Sequence, residues 1–305
     1  MDWKAEIATA AERSAAHVQR TPVMRSAVLW SRPVELKLEQ LQHTGSFKAR
    51  GAFNTLLSLP VPAAGVVAAS GGNHGAAVAY AATRLGHRAQ IFVPEIAGPA
   101  KIALIERTGA ALTVVPGEYA NALEQARAYE AETGAMQVHA YDAPATLAGQ
   151  GTLMREWEQQ GLEADTVLIA VGGGGLIGGA LGWLQGARRV VAVEPEQART
   201  LDAALEAGRP VDVEVSGVAA NALGARRIGS LCFDLAQRHL ARRVTVTDAA
   251  ITEAQRALWQ AHRLLVEPAG ATALAALRSG AYRPEPGERV AVLLCGGNIA
   301  PDPLG

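Results

Sequence analysis

The sequence predicts an α/β protein built on mainly parallel sheet, and three observations predict it. Short β-rich runs alternate with longer Ala/Leu-rich helical windows over most of the 305 residues. The candidate strands, such as VLIAV and VAVLL, are near-continuous apolar runs, the pattern of parallel strands covered on both faces. Three of them end in glycine-rich turns, where ligands of such sheets bind. A chain of this length exceeds the common size of one domain, so two lobes around a cleft and one large α/β unit are both compatible with it.

Taken in order, MDWKAEIATAAERSAAH reads as an Ala-rich amphipathic helix. TGSFKARG (residues 44–51) reads as a small glycine-flanked turn with Lys48 directly after Phe47, and the Pro-rich LPVPAAG that follows is a break that could hinge two lobes. Strands are expected at 66–69, 90–93, 112–115, 166–171, 190–193, 243–247 and 290–294. Helices are expected at 75–85, 99–107, 119–132, 145–160, 176–184, 249–264 and 269–277.

Composition narrows the partners. Lys plus Arg number 28 against 29 Asp plus Glu, with no basic block, so neither nucleic acid nor an anionic membrane is an expected partner and a small molecule is. The two cysteines, Cys232 and Cys295, form no CxxC pair, which fits a reducing, cytoplasmic setting. No secretory leader and no apolar run of membrane-spanning length is legible.

The glycine turns carry the chemistry. Ser70, Gly71, Gly72, Asn73, His74 and Gly75 lead from a strand into an Ala-rich helix, whose free N–H groups and dipole suit a carboxylate or phosphate; a plain connection capped by Asn73 is the bland alternative. Gly172, Gly173, Gly174 and Gly175 follow a buried strand and let backbone approach an anion with no Cβ in the way. Gly173, Gly175 and Gly178 also fit G-x-G-x-x-G, with Glu194 ending the next strand, which keeps a nicotinamide dehydrogenase as a rival. In CGGN, Cys295 is either a small core residue or a ligand-facing thiol.

Together ELKLEQLQHTGSFKARGA, ASGGNHGAAVAYAA, AGQGT, VGGGGLIGG, VEP, VEPAG and CGGN make the chain resemble the fold-type II pyridoxal-phosphate enzymes, in particular the serine/threonine dehydratase and serine racemase group, from about Thr21 to Asn298. The resemblance implies two lobes, each with a mainly parallel sheet flanked by helices: residues 1–60 with 143–305 as a large cofactor-binding domain and 61–142 as a small one. It implies pyridoxal 5'-phosphate as cofactor, an amino acid as substrate, commonly a homodimer, and α,β-elimination of L-threonine or L-serine to a 2-oxo acid and ammonia. Lys48 is then the lysine joined covalently to the cofactor, with Phe47 by its ring, Asn73 on its phenolic oxygen, and Gly172 to Gly175 with Leu176 on its phosphate. Cys295 is implied beside the pyridine nitrogen, and Ser70, Asn73 and His74 in the loop that takes the substrate carboxylate. Hydroxyaspartate or phenylserine dehydratase, serine racemase and threonine synthase are the alternatives in the same fold type.

Departures from the resemblance refine it. Gly71 stands where serine racemases resemble one another in carrying a proton-delivering serine, so dehydration is expected to dominate. Thr200 replaces the aspartate of the group's cation site, leaving Glu194 and Ala198, and no metal is expected. The chain stops soon after Asn298, so a C-terminal regulatory domain is not expected.

Overall fold

The computed structural model describes residues 1–117 and 119–299. The chain opens with α1 (Trp3–Ser14), capped by Asp2, whose carboxylate accepts from the Ala5 N–H at 3.2 Å. An antiparallel pair, β1 (Val23–Ser26) and β2 (Val34–Leu38), precedes α2 (Lys48–Ser58). The next stretch alternates as β3 (Val66–Ala69), α3 (Asn73–Arg84), β4 (Ala89–Pro94), α4 (Pro99–Glu106), β5 (Ala111–Val115), α5 (Tyr119–Thr133) and β6 (Met136–Gln137). The alternation resumes with α6 (Pro144–Gln159), β7 (Thr166–Ala170), α7 (Gly175–Leu184) and β8 (Arg189–Pro195). Three helices follow, α8 (Thr200–Ala207), α9 (Ala220–Leu223) and α10 (Ser230–His239), then β9 (Arg242–Val246), α11 (Asp248–His262), α12 (Pro268–Ser279) and β10 (Val290–Leu294).

These strands form two sheets, ordered β1-β2-β10-β7-β8-β9 and β5-β4-β3-β6, and every pairing but β1 with β2 is parallel. Parallel strands need a covered crossover at each step, and the helices supply it. Each sheet has its own apolar core. The larger holds Leu168, Val191 and Val292; the smaller, in two clusters, holds Val66, Ile91 and Val67 among others. Phe47 packs against the larger core and Ala49 belongs to the smaller, so Lys48 stands on the seam between them.

All seven predicted strands are present, with ends shifted by a residue or two. The structure corrects the reading of residues 44–51, because Lys48 is not in a turn but begins α2. It adds β1, β2 and β6, and the helices α2, α8, α9 and α10. The sequence VELKL of β2 hid its strand character because Glu35 and Lys37 interrupt the apolar run, although all five residues are buried.

Those charges are buried in a network. Arg50 of α2 donates two hydrogen bonds to Glu39, at 2.8 and 2.7 Å, and reaches Glu156 of α6 at 3.0 Å. Lys37 donates to Glu156, to Gln160 at 2.7 Å and to the Thr21 carbonyl at 2.9 Å. Burial would raise the Glu39 carboxyl, but the Arg50 guanidinium outweighs it and holds the group below the usual range. Alongside, Gly51 and Gly149 let α2 and α6 touch backbone to backbone: a Cβ at Gly149 would lie 2.7 Å from the Gly51 Cα. The AGQGT motif is thus a helix contact rather than a ligand loop. Removing one partner of this network leaves a buried charge unpaired. Arg50→Leu is therefore expected to cost about 3–5 kcal/mol, seen as a lower denaturant midpoint in equilibrium unfolding; an unchanged midpoint would show that the network contributes nothing.

Candidate active site

Two segments far apart in sequence are joined beneath Lys48. Ser46 bridges Gly296, the Phe47 N–H donates to the Cys295 carbonyl at 3.2 Å, and the Gly297 N–H donates to the Gly45 carbonyl at 2.9 Å. Thr44 (φ 59°) and Gly45 (φ 73°) both adopt left-handed backbone to make this fit, and a Cβ at Gly45 would lie 2.5 Å from Asn298 Oδ1. The start of α2 is thereby fixed to the end of β10.

Lys48 Nζ donates to the Ala140 carbonyl at 2.8 Å and lies 5.2 Å from the centre of the Phe47 ring. Burial disfavours its ammonium form and pushes its pKa down to about 8, a fall that Cys295 and Glu267 only partly oppose. The surroundings stay close to neutral for the same reason. Burial lowers His74 to about 3, helped by the Lys48 charge, so its imidazole is uncharged, and its Nε2–H donates to the Val138 carbonyl at 2.8 Å. Burial raises Glu267 to about 7 against the opposing hydrogen bond from the Asn73 amide, at 2.6 Å. The Cys295 thiol is pushed well above its ordinary value by burial and donates to the Ala269 carbonyl at 3.4 Å.

Lys48 lines a cleft of about 460 Å³ with Phe47, Asn73, Gly172, Gly173, Gly174, Gly175, Leu176 and Cys295. Every residue that the sequence links to the cofactor is in that wall. The glycine loop forms a cradle at the N-terminus of α7, where the first-turn N–H groups have no acceptor within the helix. Side chains there would destroy it: a Cβ at Gly173 would lie 2.3 Å from the Tyr141 ring and one at Gly174, which is left-handed, 2.6 Å from Cys232. A phosphate at the loop, an aldehyde near a buried amine and a ring nitrogen beside a neutral thiol are what this donor set fits.

Other expectations are placed differently. Gly72, not Asn73, is the N-cap of α3; the Asn73 amide instead spans the cleft, donating to Glu267 and accepting from Asn298 at 2.8 Å. Ser70 and His74 are outside the cleft wall: Ser70 accepts from the Gly72 N–H at 3.2 Å and His74 is turned to Val138. The wall also contains Tyr141, Ala222, Leu223 and Ala269, which the sequence reading passed over. AYDAP, just before AGQGT, was the available sign of Tyr141, but a lone aromatic between turn residues has no periodicity to mark it.

Glu194 is not aimed at the glycine loop. Its carboxylate accepts from the Leu201 and Asp202 N–H groups, both at 2.8 Å, and so caps α8. Burial raises it to about 7. An acid held this way is not free to bind a ribose, which removes the structural basis of the dehydrogenase reading. Thr200 Oγ1 lies 2.7 Å from the Gly172 carbonyl and 3.2 Å from Glu194. Among the described residues, no group of three His, Cys, Asp or Glu side chains could hold a metal, and no helix is long and apolar enough to cross a membrane.

Residues 15–296 match the family described as "Pyridoxal-phosphate dependent enzyme". The chain is 39% identical to phenylserine dehydratase of Ralstonia pickettii over 87% of its own length and 82% of that protein's. It is 36% identical to the biosynthetic L-threonine dehydratase of Escherichia coli K12 over 92% of its length, but spans only 56% of that longer protein. The solved threonine deaminase of T.th. superposes with a TM-score of 0.90 at 36% identity, covering 98% of this chain and 99% of that one.

An amine held near pH 8 is protonated below that value and nucleophilic above it. The rate at which cofactor-free protein takes up pyridoxal phosphate is expected to rise with pH up to about 8 and then level off, followed by absorbance. A rise continuing toward the ordinary lysine value of about 10.5 would show that burial does not depress Lys48.

Proposed function

Since the chain belongs to the pyridoxal-phosphate-dependent enzymes, in the fold-type II group of serine/threonine dehydratases and serine racemases, and is a lyase of the ammonia-lyase kind, we propose that it deaminates L-threonine and L-serine or close β-hydroxy relatives. The products are a 2-oxo acid and ammonia. The observation that supports elimination best is the pairing of a buried, easily deprotonated Lys48 with a Cys295 thiol that burial keeps neutral.

When bound, pyridoxal phosphate withdraws electrons from the substrate α-carbon so that a proton can leave it. In this reading Lys48 Nζ would hold the cofactor and, when free, would take the α-proton of the substrate as general base. Gly172 to Gly175 and Leu176 would hold the phosphate through backbone N–H groups, Asn73 would turn from Glu267 or Asn298 to the ring oxygen, and Phe47 would pack at the ring. Cys295 would lie by the ring nitrogen, where a thiol that stays un-ionised does not fix a proton as a carboxylate would. This favours loss of the β-hydroxyl, protonated to leave as water, over a long-lived negative charge at the α-carbon. Ser70, Asn73 and His74 hold the substrate carboxylate at the N-terminus of α3, which requires His74 to leave Val138. Residues 1–60 with 143–305 act as the cofactor-binding part and 61–142 as the part that brings the carboxylate turn.

A panel of amino acids assayed for ammonia release with cofactor present tests this reading, and Lys48→Ala is expected to lower turnover by about 10³-fold or more. Ammonia release that survives in the variant removes Lys48 from the chemistry. Racemisation gives a second test. A Cβ at Gly71 would lie 2.3 Å from the Ala97 Cβ, so Gly71→Ser alone is crowded. Gly71→Ser with Ala97→Gly is expected to raise D-serine formation, measured by chiral chromatography. No gain in the double variant would mean that a hydroxyl at this position is not enough to deliver the proton.

A further inference from the structure

The chain has only four lysines among its 28 basic residues: Lys4, Lys37, Lys48 and Lys101. Lys4 is exposed, Lys37 is satisfied by Glu156, Gln160 and a carbonyl, and Lys48 belongs to the cleft. Lys101 in α4 differs from all three. It is 8% exposed, yet among the described residues its Nζ donates only to the Asn221 carbonyl, at 3.3 Å. An ammonium carries three donors, and removing it from water with a single long bond is costly unless an anion completes its shell.

That ammonium lines a second cavity of about 310 Å³ with Asn221, Pro268 and Asn298. The cavity shares Ala222, Glu267 and Ala269 with the cleft that holds Lys48, so the two adjoin. Glu267 is the other ionisable group in its wall: its charge and that of Lys101 favour each other, but burial still raises its carboxyl to about 7, and its Oε1 accepts from the Asn73 amide. The remaining lining is neutral. The opening therefore presents a buried amine with a single long hydrogen bond beside the cleft that holds Lys48.

We propose that this cavity is the side-chain subsite and that Lys101 selects a β-hydroxy amino acid bearing a second carboxylate, of which 3-hydroxyaspartate is the simplest. The inference rests on the ammonia-lyase reading above. Water lost in the elimination returns on hydrolysis, so such a substrate gives a 2-oxo dicarboxylic acid and ammonia, with atoms balanced. Ion pairing in a partly desolvated pocket discriminates against uncharged side chains of similar size because these leave the ammonium without a partner.

Specificity constants of the holoenzyme for threo-3-hydroxyaspartate, L-threonine and phenylserine, in the wild type and in Lys101→Met, test it. The wild type is expected to favour the dicarboxylic substrate by about tenfold or more, and the hydroxyaspartate-to-threonine ratio is expected to fall about tenfold in Lys101→Met. Calorimetry gives a readout independent of turnover: succinate should bind the wild-type holoenzyme more tightly than butyrate, and Lys101→Met should erase the difference. If Lys101→Met does not fold, the wild-type succinate preference and the selectivity of Lys101→Arg decide. Preference for threonine or phenylserine, equal binding of the two acids, or a variant that lowers all substrates alike overturns the subsite while leaving the ammonia-lyase reading intact. Absence of ammonia from every β-hydroxy amino acid sinks that reading instead.

Discussion

The cost of burying an ammonium is the constraint on which the site depends. Lys48 stands where two apolar cores meet, and the loss of hydration there moves its proton affinity into the range where a free amine exists near neutral pH. The effect persists only if no full negative charge is close by. Both candidates are subdued by the same burial: Cys295 remains a thiol, and Glu267 holds its proton up to about neutrality. One physical cause thus sets the amine and its surroundings together.

Such a site needs rigid support, because its parts come from segments about 250 residues apart. Backbone hydrogen bonds between residues 45–47 and 295–297 supply the first fastening. The second lies behind α2, where Glu39, Arg50, Lys37 and Glu156 satisfy one another in the interior. A buried ion network is poor as a source of net stability but well suited to fixing register, since any slip leaves a charge unpaired. Close glycine contacts among α2, α6 and α7 then tie Lys48 to the glycine cradle through a short, stiff path.

Chemistry and selectivity are divided between neighbouring cavities. The cleft is lined by backbone donors and neutral groups, which favours holding and protonating or deprotonating a bound molecule at defined atoms. The adjoining cavity contributes Lys101 from α4, an element of the smaller sheet's layer, against a wall supplied by residues 218–222, 267–269 and Asn298.

By itself the sequence determined the α/β class and the parallel strands, because each is encoded locally. Apolar runs of period suited to buried strands, and glycines clustered at strand ends, need no tertiary context to be read. Phe47, Lys48, Asn73, Gly172 to Gly175, Leu176 and Cys295, which the resemblance linked to one another, line one cleft. Where charge or contact is satisfied at a distance, the local signal fails. The buried charges concealed β2, Glu194 became a helix cap instead of a ligand-facing acid, and His74 turned to a carbonyl 64 residues away. Tyr141 and Lys101 carry no pattern in the chain; only packing, which decides which polar groups keep their water and which lose it, brought them to the walls of the two cavities.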